Sequence, residues 1–250
     1  MPVRKIEPLN CTLGFDNIYV LSLEKRADRR ALMDELGQFH GLCFDYFKAV
    51  ESDDMEVNRL NQSWNLYGFP GIKACYLSHY HIYESIIKNG YSKSLILEDD
   101  VDMELDLFDI MSNIHLILPN DWEILYLGHC HEWIDDTKIL VSGLSTNHKL
   151  HTAVHPQCTH AYAITASAAK KLLEILDIDH TYADAAIDVE LADLILDKKF
   201  IAYGVHPQII TQWKAKDDMS DTVPEPDAVD KIYTLTNSTL EILGFSRGWS

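Results

Sequence analysis

Basic residues are scarce in this chain: 21 Lys and Arg stand against 39 Asp and Glu in 250 residues, a formal charge of −18. So negative a surface repels phosphate polymers and anionic membranes, so nucleic acid is not an expected partner. Long apolar runs are missing too, and nothing approaches the roughly 20 residues of a membrane-spanning helix. The start, Met1-Pro2-Val3-Arg4-Lys5-Ile6-Glu7-Pro8, has two basic residues but no apolar segment behind them, so it does not read as a secretory signal. The location expected from these absences is the cytoplasm. Cysteine is sparse and unpatterned: Cys11, Cys43, Cys75, Cys130 and Cys158 are odd in number, widely spread, and form no CxxC pair. That arithmetic suits neither a disulfide framework nor a zinc site. Five reduced thiols are expected, with Cys75 and Cys158 packed inside. His129 and His131 flank Cys130 without a second ligand pair, so zinc is not expected either. The sequons at Asn10, Asn61 and Asn237 read as chance in a chain without an export signal.

What is present alternates between two periods. Residues 17–23 read as a buried strand, 27–39 as a helix, 42–50 as a strand, 73–88 as a helix closed by Asn89-Gly90, and 94–97 as a short strand. Then come a helix over 106–118, a strand over 122–128, a small hairpin around 139–141, a strand over 158–165, helices over 166–175 and 186–196, and a last periodic stretch at 200–205. Residues 51–71 read as a loop with one short helix, and the acidic stretch 214–230, with Pro224 and Pro226, as a loop. Strands alternating with helices predict an α/β fold, an open, mainly parallel sheet with helices on both faces. In such sheets ligands bind beyond the carboxyl ends of the strands, which draws attention to 24–30, 98–102 and the residues from Gly128 onward.

The strongest local feature is Leu95-Ile96-Leu97-Glu98-Asp99-Asp100-Val101-Asp102. Three consecutive acids at the end of a hydrophobic strand repel one another and are costly to bury without a counter-charge. A hard cation such as Mn²⁺ or Mg²⁺ offsets that cost through oxygen ligands; the alternative reading is a solvated acidic turn. The second feature is Gly71-Ile72-Lys73-Ala74-Cys75-Tyr76-Leu77-Ser78-His79. Adjacent residues on a helix point about 100° apart, so Ser78 and His79 are not a hydrolase pair. They are either substrate contacts or props beneath a site. Trp133, Tyr162 and Trp213 are candidates to stack on the apolar face of a ligand, or ordinary core aromatics.

With these words in order, the chain resembles glycosyltransferase family 25. The likeness runs through Ile18-Tyr19-Val20-Leu21-Ser22-Leu23 with Arg26, Asp28 and Arg29; Gly71 with Cys75-Tyr76-Leu77-Ser78-His79; Leu97-Glu98-Asp99-Asp100-Val101; Ala161-Tyr162-Ala163-Ile164-Thr165 before Ala168-Ala169-Lys170-Lys171-Leu172-Leu173; Ile187-Asp188 with Leu191; and Gln212 with Ser220-Asp221. It departs at Ile72, where the family usually has Glu. The resemblance implies a single GT-A-like catalytic domain over 17–222 with 223–250 as a tail packed on or extending from it. It implies an inverting, metal-dependent transfer of a hexose, galactose or glucose, from a UDP-sugar to a hydroxyl of a glycan or protein acceptor. The alternative is an impaired sugar-nucleotide or glycan-binding scaffold. Mn²⁺ or Mg²⁺ would sit on Asp100 and Asp102. The donor would lie against Val20, Leu21, Ser22, Leu23, Arg26, Arg29, Ser78, His79, Glu98, Asp99, Gln212, Ser220 and Asp221. Asp188 is the expected general base, with Glu190 as the fallback.

Overall fold

Alternating side chains in the apolar runs feed two separate cores, and a sheet between them follows. The computed structural model describes residues 9–60, 69–132, 139–141, 148–176, 178, 185–215, 218–222 and 234–248. Strands β1 (Asn17–Ser22), β2 (Asp45–Lys48), β3 (Lys93–Glu98), β5 (Ile124–Gly128), β6 (Ile139–Val141), β7 (Lys149–Thr152), β8 (Ala161–Thr165) and β9 (Ala202–His206) form one sheet in the order β2-β1-β3-β8-β5-β9-β7-β6. Pairing directions make six strands run one way and β7 and β8 the other. The mainly parallel α/β sheet expected from the sequence is therefore the one observed.

Successive strand residues face opposite sides of a sheet. Tyr19, Leu21 and Ile96 accordingly enter one core, with residues of α3 (Pro70–Asn89), α5 (Ala166–Ile175) and α6 (Ile187–Leu196). Ile18, Val20, Leu95 and Leu97 enter the other, with α1 (Ala27–His40) and α4 (Leu107–Ile117). The short α2 (Met55–Leu60) packs on α3. The sequence places the start of α3 at residue 73, yet the helix begins at Pro70. Proline at the first helical position has its φ already set and loses no needed N–H, so here it starts the helix it was expected to precede.

After Asp100 the chain leaves the sheet as β4 (Val101–Met103), which pairs antiparallel with β10 (Ile210–Gln212). Asp102 is fully buried on this ribbon. One of its oxygens accepts from the N–H groups of Met103 and Leu240 at 2.8 and 3.0 Å, and the other from the Ser238 hydroxyl at 2.5 Å. Glu104 likewise accepts from the N–H groups of Thr236 and Asn237. These two carboxylates seat the segment 234–248, with its short α7 (Thr239–Ile242), on the domain.

The cysteine expectation is overturned. Cys11 bonds to Cys43 and Cys130 to Cys158, which leaves Cys75 free and half-buried. The partners are 32 and 28 residues apart, and only the fold brings them together. The Cys43 N–H donates to the Cys11 carbonyl at 2.8 Å, and the Cys130 N–H to the Gln157 carbonyl at 2.9 Å. Disulfides persist in oxidising surroundings, so the reduced-thiol argument for a cytoplasmic protein falls. No helix among the described residues is long and apolar enough to cross a membrane.

Mass spectrometry of the non-reduced, unfolded protein after alkylation should show one labelled thiol, on Cys75. Three or five labels would remove one or both bonds. Reduction should cost roughly 2–4 kcal/mol of stability per bond, read as an earlier denaturant midpoint.

Candidate active site

The parallel register places Leu21 of β1 opposite Glu98 of β3, so the two strands end side by side and deliver their following residues to one edge. A small cavity of about 90 Å³ opens there. Leu21, Ser22 and Leu23 form one wall, Glu98 and Asp99 another, and Cys75 and Ser78 of α3 the floor, with Arg29 and Asp221 also on its lining. Gly71 explains how α3 meets the far wall. A Cβ there would collide with the carbonyl oxygens of Asp221 and Thr222, so the segment lies directly on the helix backbone. Of the expected donor residues, Val20, Arg26, His79, Gln212 and Ser220 do not line it, and Val20 is fully buried in the core below the strand end.

Arg29 holds the acidic edge together. Its Nη1 lies 3.0 Å from Asp99 and 3.1 Å from Asp100, and its Nη2 3.0 Å from Asp218. Burial works against this guanidinium, but Asp100, Asp99 and Asp218 outweigh it and hold the proton firmly. Arg26, one turn earlier, pairs with Asp28 at 2.8 Å, with Asp218 at 2.5 Å and with Asp221. Asp100 remains the least satisfied of the acids. Its Oδ1 is buried without a hydrogen-bond partner. Burial pushes its carboxyl up to about 8; Arg29 opposes the shift and the charges of Glu98 and Asp99 add to it. Asp99 is raised by burial as well, against the pull of Arg29 and Ser22. A buried orphaned oxygen beside two further carboxylates is a donor set suited to a hard divalent cation. Asp102, the second expected ligand, is not part of this group, because its oxygens are taken by Met103, Ser238 and Leu240.

Glu98 stands over a buried polar chain. Its Oε1 accepts from the Thr159 hydroxyl at 2.8 Å and lies 3.6 Å from Nε2 of His79. His79 Nδ1 pairs with the Tyr162 hydroxyl at 2.9 Å, which in turn pairs with Tyr83 at 2.7 Å. Burial would raise the Glu98 carboxyl, but His79, His160 and Thr159 outweigh it and keep it ionised below its ordinary value. His79 is wholly buried, so it meets Glu98 rather than the open cavity. Ser78 is a brace: its hydroxyl accepts from the Val50 N–H at 2.9 Å and donates to the Ala74 carbonyl at 2.6 Å.

Asp188 sits in the first turn of α6, where its carboxylate accepts from the Cys158 N–H at 3.1 Å. It belongs to the same neighbourhood as the acidic edge. Burial drives the Cys75 thiol well above its ordinary range, and the charges of Glu98, Asp188 and Asp100 push in the same direction. Glu190 accepts a 2.6 Å hydrogen bond from the Tyr76 hydroxyl. Ser220 pairs with the Thr222 hydroxyl at 2.9 Å, and the Gln212 side chain lies beside Cys130. Neither of two expected stacking aromatics offers a free face. Tyr162 is fully buried, and Trp213 is 2% exposed with the Arg247 guanidinium 5.0 Å from its ring centroid. Trp133 lies outside the described residues. His129, Glu132 and His151 bring potential ligand atoms within 4.8 Å of one another, although Glu132 already accepts from the N–H groups of Val154 and His155.

Sequence reasoning missed Asp218, Thr159 and Tyr83. Asp218 lies in a stretch that reads only as an acidic loop, and nothing local marks it as the shared partner of two arginines. Thr159 and Tyr83 acquire their roles through pairs far apart in the chain.

The chain matches the family model described as Glycosyltransferase family 25 (LPS biosynthesis protein) over residues 15–187. It is 26% identical over 178 residues to procollagen galactosyltransferase 2 of Mus musculus, covering 64% of this chain and 28% of that protein. It is 28% identical over 183 residues to a glycosyltransferase 25 family member of Aedes aegypti, covering 65% and 28%. It is 28% identical over 182 residues to inactive glycosyltransferase 25 family member 3 of Mus musculus, covering 64% and 29%. The matched region thus spans less than a third of each relative's length. A crystal structure of a glycosyltransferase involved in the glycosylation of the major capsid of PBCV-1 aligns at 13% identity and a TM-score of 0.34, covering 66% of this chain and 67% of that one.

The raised Asp100 carboxyl has a sign that can be measured. The folded state keeps this proton up to about pH 8, whereas the unfolded chain releases it near 4. The folded state therefore loses stability as pH rises from about 4 to about 8. Asp100→Asn removes that liability, so its stability relative to the parent should improve between pH 5 and pH 8 by roughly 3–4 kcal/mol, read as a relative rise in melting temperature. An equal difference at both pH values would show that Asp100 is ionised throughout. Asp102→Ala should behave oppositely, costing roughly 2–5 kcal/mol across the range because three donors lose their acceptor.

Proposed function

The chain belongs to glycosyltransferase family 25, and from that premise we propose that it moves a hexose, galactose or glucose, from a UDP-sugar to a hydroxyl of a glycan or protein acceptor, with inversion and with a divalent cation. The observation that carries this reading is the orphaned, buried Oδ1 of Asp100 just beyond β3, beside Glu98 and Asp99, while Oδ2 of the same carboxylate meets Arg29 at 3.1 Å. Asp100 is the residue to hold Mn²⁺ or Mg²⁺, with Asp99 next to it. Such an ion acts as a Lewis acid and neutralises the charge on the departing diphosphate. Asp102 serves instead to anchor residues 238–240.

The chain's own residues have separable tasks. Leu21, Ser22 and Leu23 with Asp99 hold the nucleoside. Arg26 and Arg29 supply cationic partners for the diphosphate, and doing so requires them to exchange part of their pairing with Asp218 and Asp221. Glu98, kept ionised by His79 and Thr159, orients the sugar hydroxyls. The acceptor oxygen then bonds to the sugar's anomeric carbon while the bond to UDP breaks on the opposite face, and the hydroxyl proton passes to Asp188. The Cys158 N–H holds the Asp188 carboxylate by one oxygen. Glu190 is less suited, since Tyr76 already donates to it at 2.6 Å. The galactosyl preference rests on the name of the procollagen galactosyltransferase relatives.

A second reading, an impaired sugar-nucleotide binder, is favoured by one residue. Ile72 stands where the family usually has Glu, and it packs against the core formed with α3. UDP release from a UDP-sugar in the presence of Mn²⁺ separates the two.

Asp188→Asn should lower transfer by roughly 10²–10⁴-fold, the usual contribution of general acid–base catalysis, with UDP affinity unchanged by calorimetry. Asp100→Asn should instead abolish the Mn²⁺-dependent part of UDP binding. Normal transfer by the folded Asp188 variant would remove it as the base, and unchanged Mn²⁺-dependent affinity in the Asp100 variant would remove the metal assignment.

A further inference from the structure

A second, larger cavity of about 470 Å³ lies on the α1–β2 side of the sheet, within the about 300–1,000 Å³ of ligand pockets in general. Asn17, at the start of β1, Asp45, at the start of β2, and Asp34 and Gln38 of α1 line it. Asn17 and Asp45 stand at the amino ends of their strands, whereas Ser22, Glu98 and Asp99 of the small cavity stand at or just beyond the carboxyl ends of theirs. The two cavities therefore belong to opposite edges of the sheet.

Asn17 marks this cavity as a place for a ligand. The residue is 7% exposed, and its Nδ2 is buried without a hydrogen-bond partner. An amide donor left so costs free energy, and its persistence asks for an acceptor from outside. Around it are the acceptors Asp34 and Asp45, the mixed donor and acceptor Gln38, and the aromatic side chains Phe44 and Tyr46. No Lys or Arg lines the cavity, which disfavours phosphate, nucleotide and other anions. Carboxylates and amides that both give and accept hydrogen bonds, beside aromatic carbon, suit a ligand that carries many hydroxyls and apolar C–H faces and no charge.

We propose that this cavity is a binding site for a neutral saccharide chain, separate from the site of transfer. Asn17 donates to a ring or hydroxyl oxygen, and Asp45 and Gln38 hold hydroxyls at the mouth. Asp34 already accepts from the Tyr46 hydroxyl at 2.8 Å, so it positions that ring and keeps its second oxygen for the sugar. The site would retain a glycan without reacting it.

The test is saturation-transfer NMR with lactose, maltotriose and cellotriose, in the presence of saturating UDP and diamagnetic Mg²⁺ so that the donor pocket is filled, with the Gln38 and Asp45 variants separating this cavity from the acceptor side of the transfer site. Transfer to the ring protons of at least one probe is expected. Gln38→Ala and Asp45→Ala replace exposed side chains and should leave the fold intact, confirmed by an unchanged melting temperature. Each should weaken that probe about tenfold, the loss of one hydrogen bond to the ligand. Asn17→Ala should abolish binding and serves as a third arm. Silence from all three probes, binding that survives the Gln38→Ala/Asp45→Ala pair unchanged, or binding displaced by UDP would each overturn the proposal. A chain that failed to release UDP from any UDP-sugar could still bind these probes, so failure of the transferase reading would be seen separately.

Discussion

Arg29 gathers carboxylates that arrive from two distant parts of the chain: Asp99 and Asp100 from the end of β3, and Asp218 from the segment beyond β10. The order of the carboxyl edge depends on this guanidinium. Three buried or half-buried acids without it would repel one another, and breaking a buried pair by removing one partner costs about 3–5 kcal/mol. Helix α1 can place Arg29 there because Met33 and Leu36 are fixed in the core beneath. The rigid part of the site is thus a consequence of packing on one face of α1, and the charge network is fitted onto it.

The same network would govern how the proposed donor enters. Arg26 and Arg29 are both engaged with Asp218, and Arg26 also with Asp221, while Gly71 lets Asp221 and Thr222 lie on the helix backbone. The diphosphate of the proposed donor would compete with those carboxylates for the same cations. Under the proposed function, a metal ion on Asp100 would relieve the other half of the problem, since that carboxyl is raised because burial and its acidic neighbours outweigh Arg29.

Much of this was legible in the sequence, for identifiable reasons. The near-continuous apolar runs at residues 17–23 and 94–97 mark strands buried on both faces, and the good helix formers of Ala166–Ile175 mark α5 to its bounds. Glu98-Asp99-Asp100 stood out since nothing but a site or a turn puts three acids after an apolar strand. What escaped depends on tertiary structure. The three-residue strands of the β4–β10 ribbon carry too little period to read. The family resemblance pairs Asp102 with Asp100 on the metal, and only the fold shows its oxygens turned to Ser238 and Leu240. The disulfides escaped for the same reason, because spacings of 32 and 28 residues carry no local signal.

The Cys130–Cys158 bond joins the strand end at Gly128 to the residue whose N–H supports Asp188. The seat of that carboxylate is therefore secured covalently at one side and by the first turn of α6 at the other. A preparation folded in a reducing host would keep both cores, since neither bond lies in them, yet would hold Asp188 against an untethered loop. On the base role proposed for Asp188, such protein would be less stable and would lose specific activity before it lost its fold, and oxidative refolding, rather than a change of substrate, would be the remedy to try first.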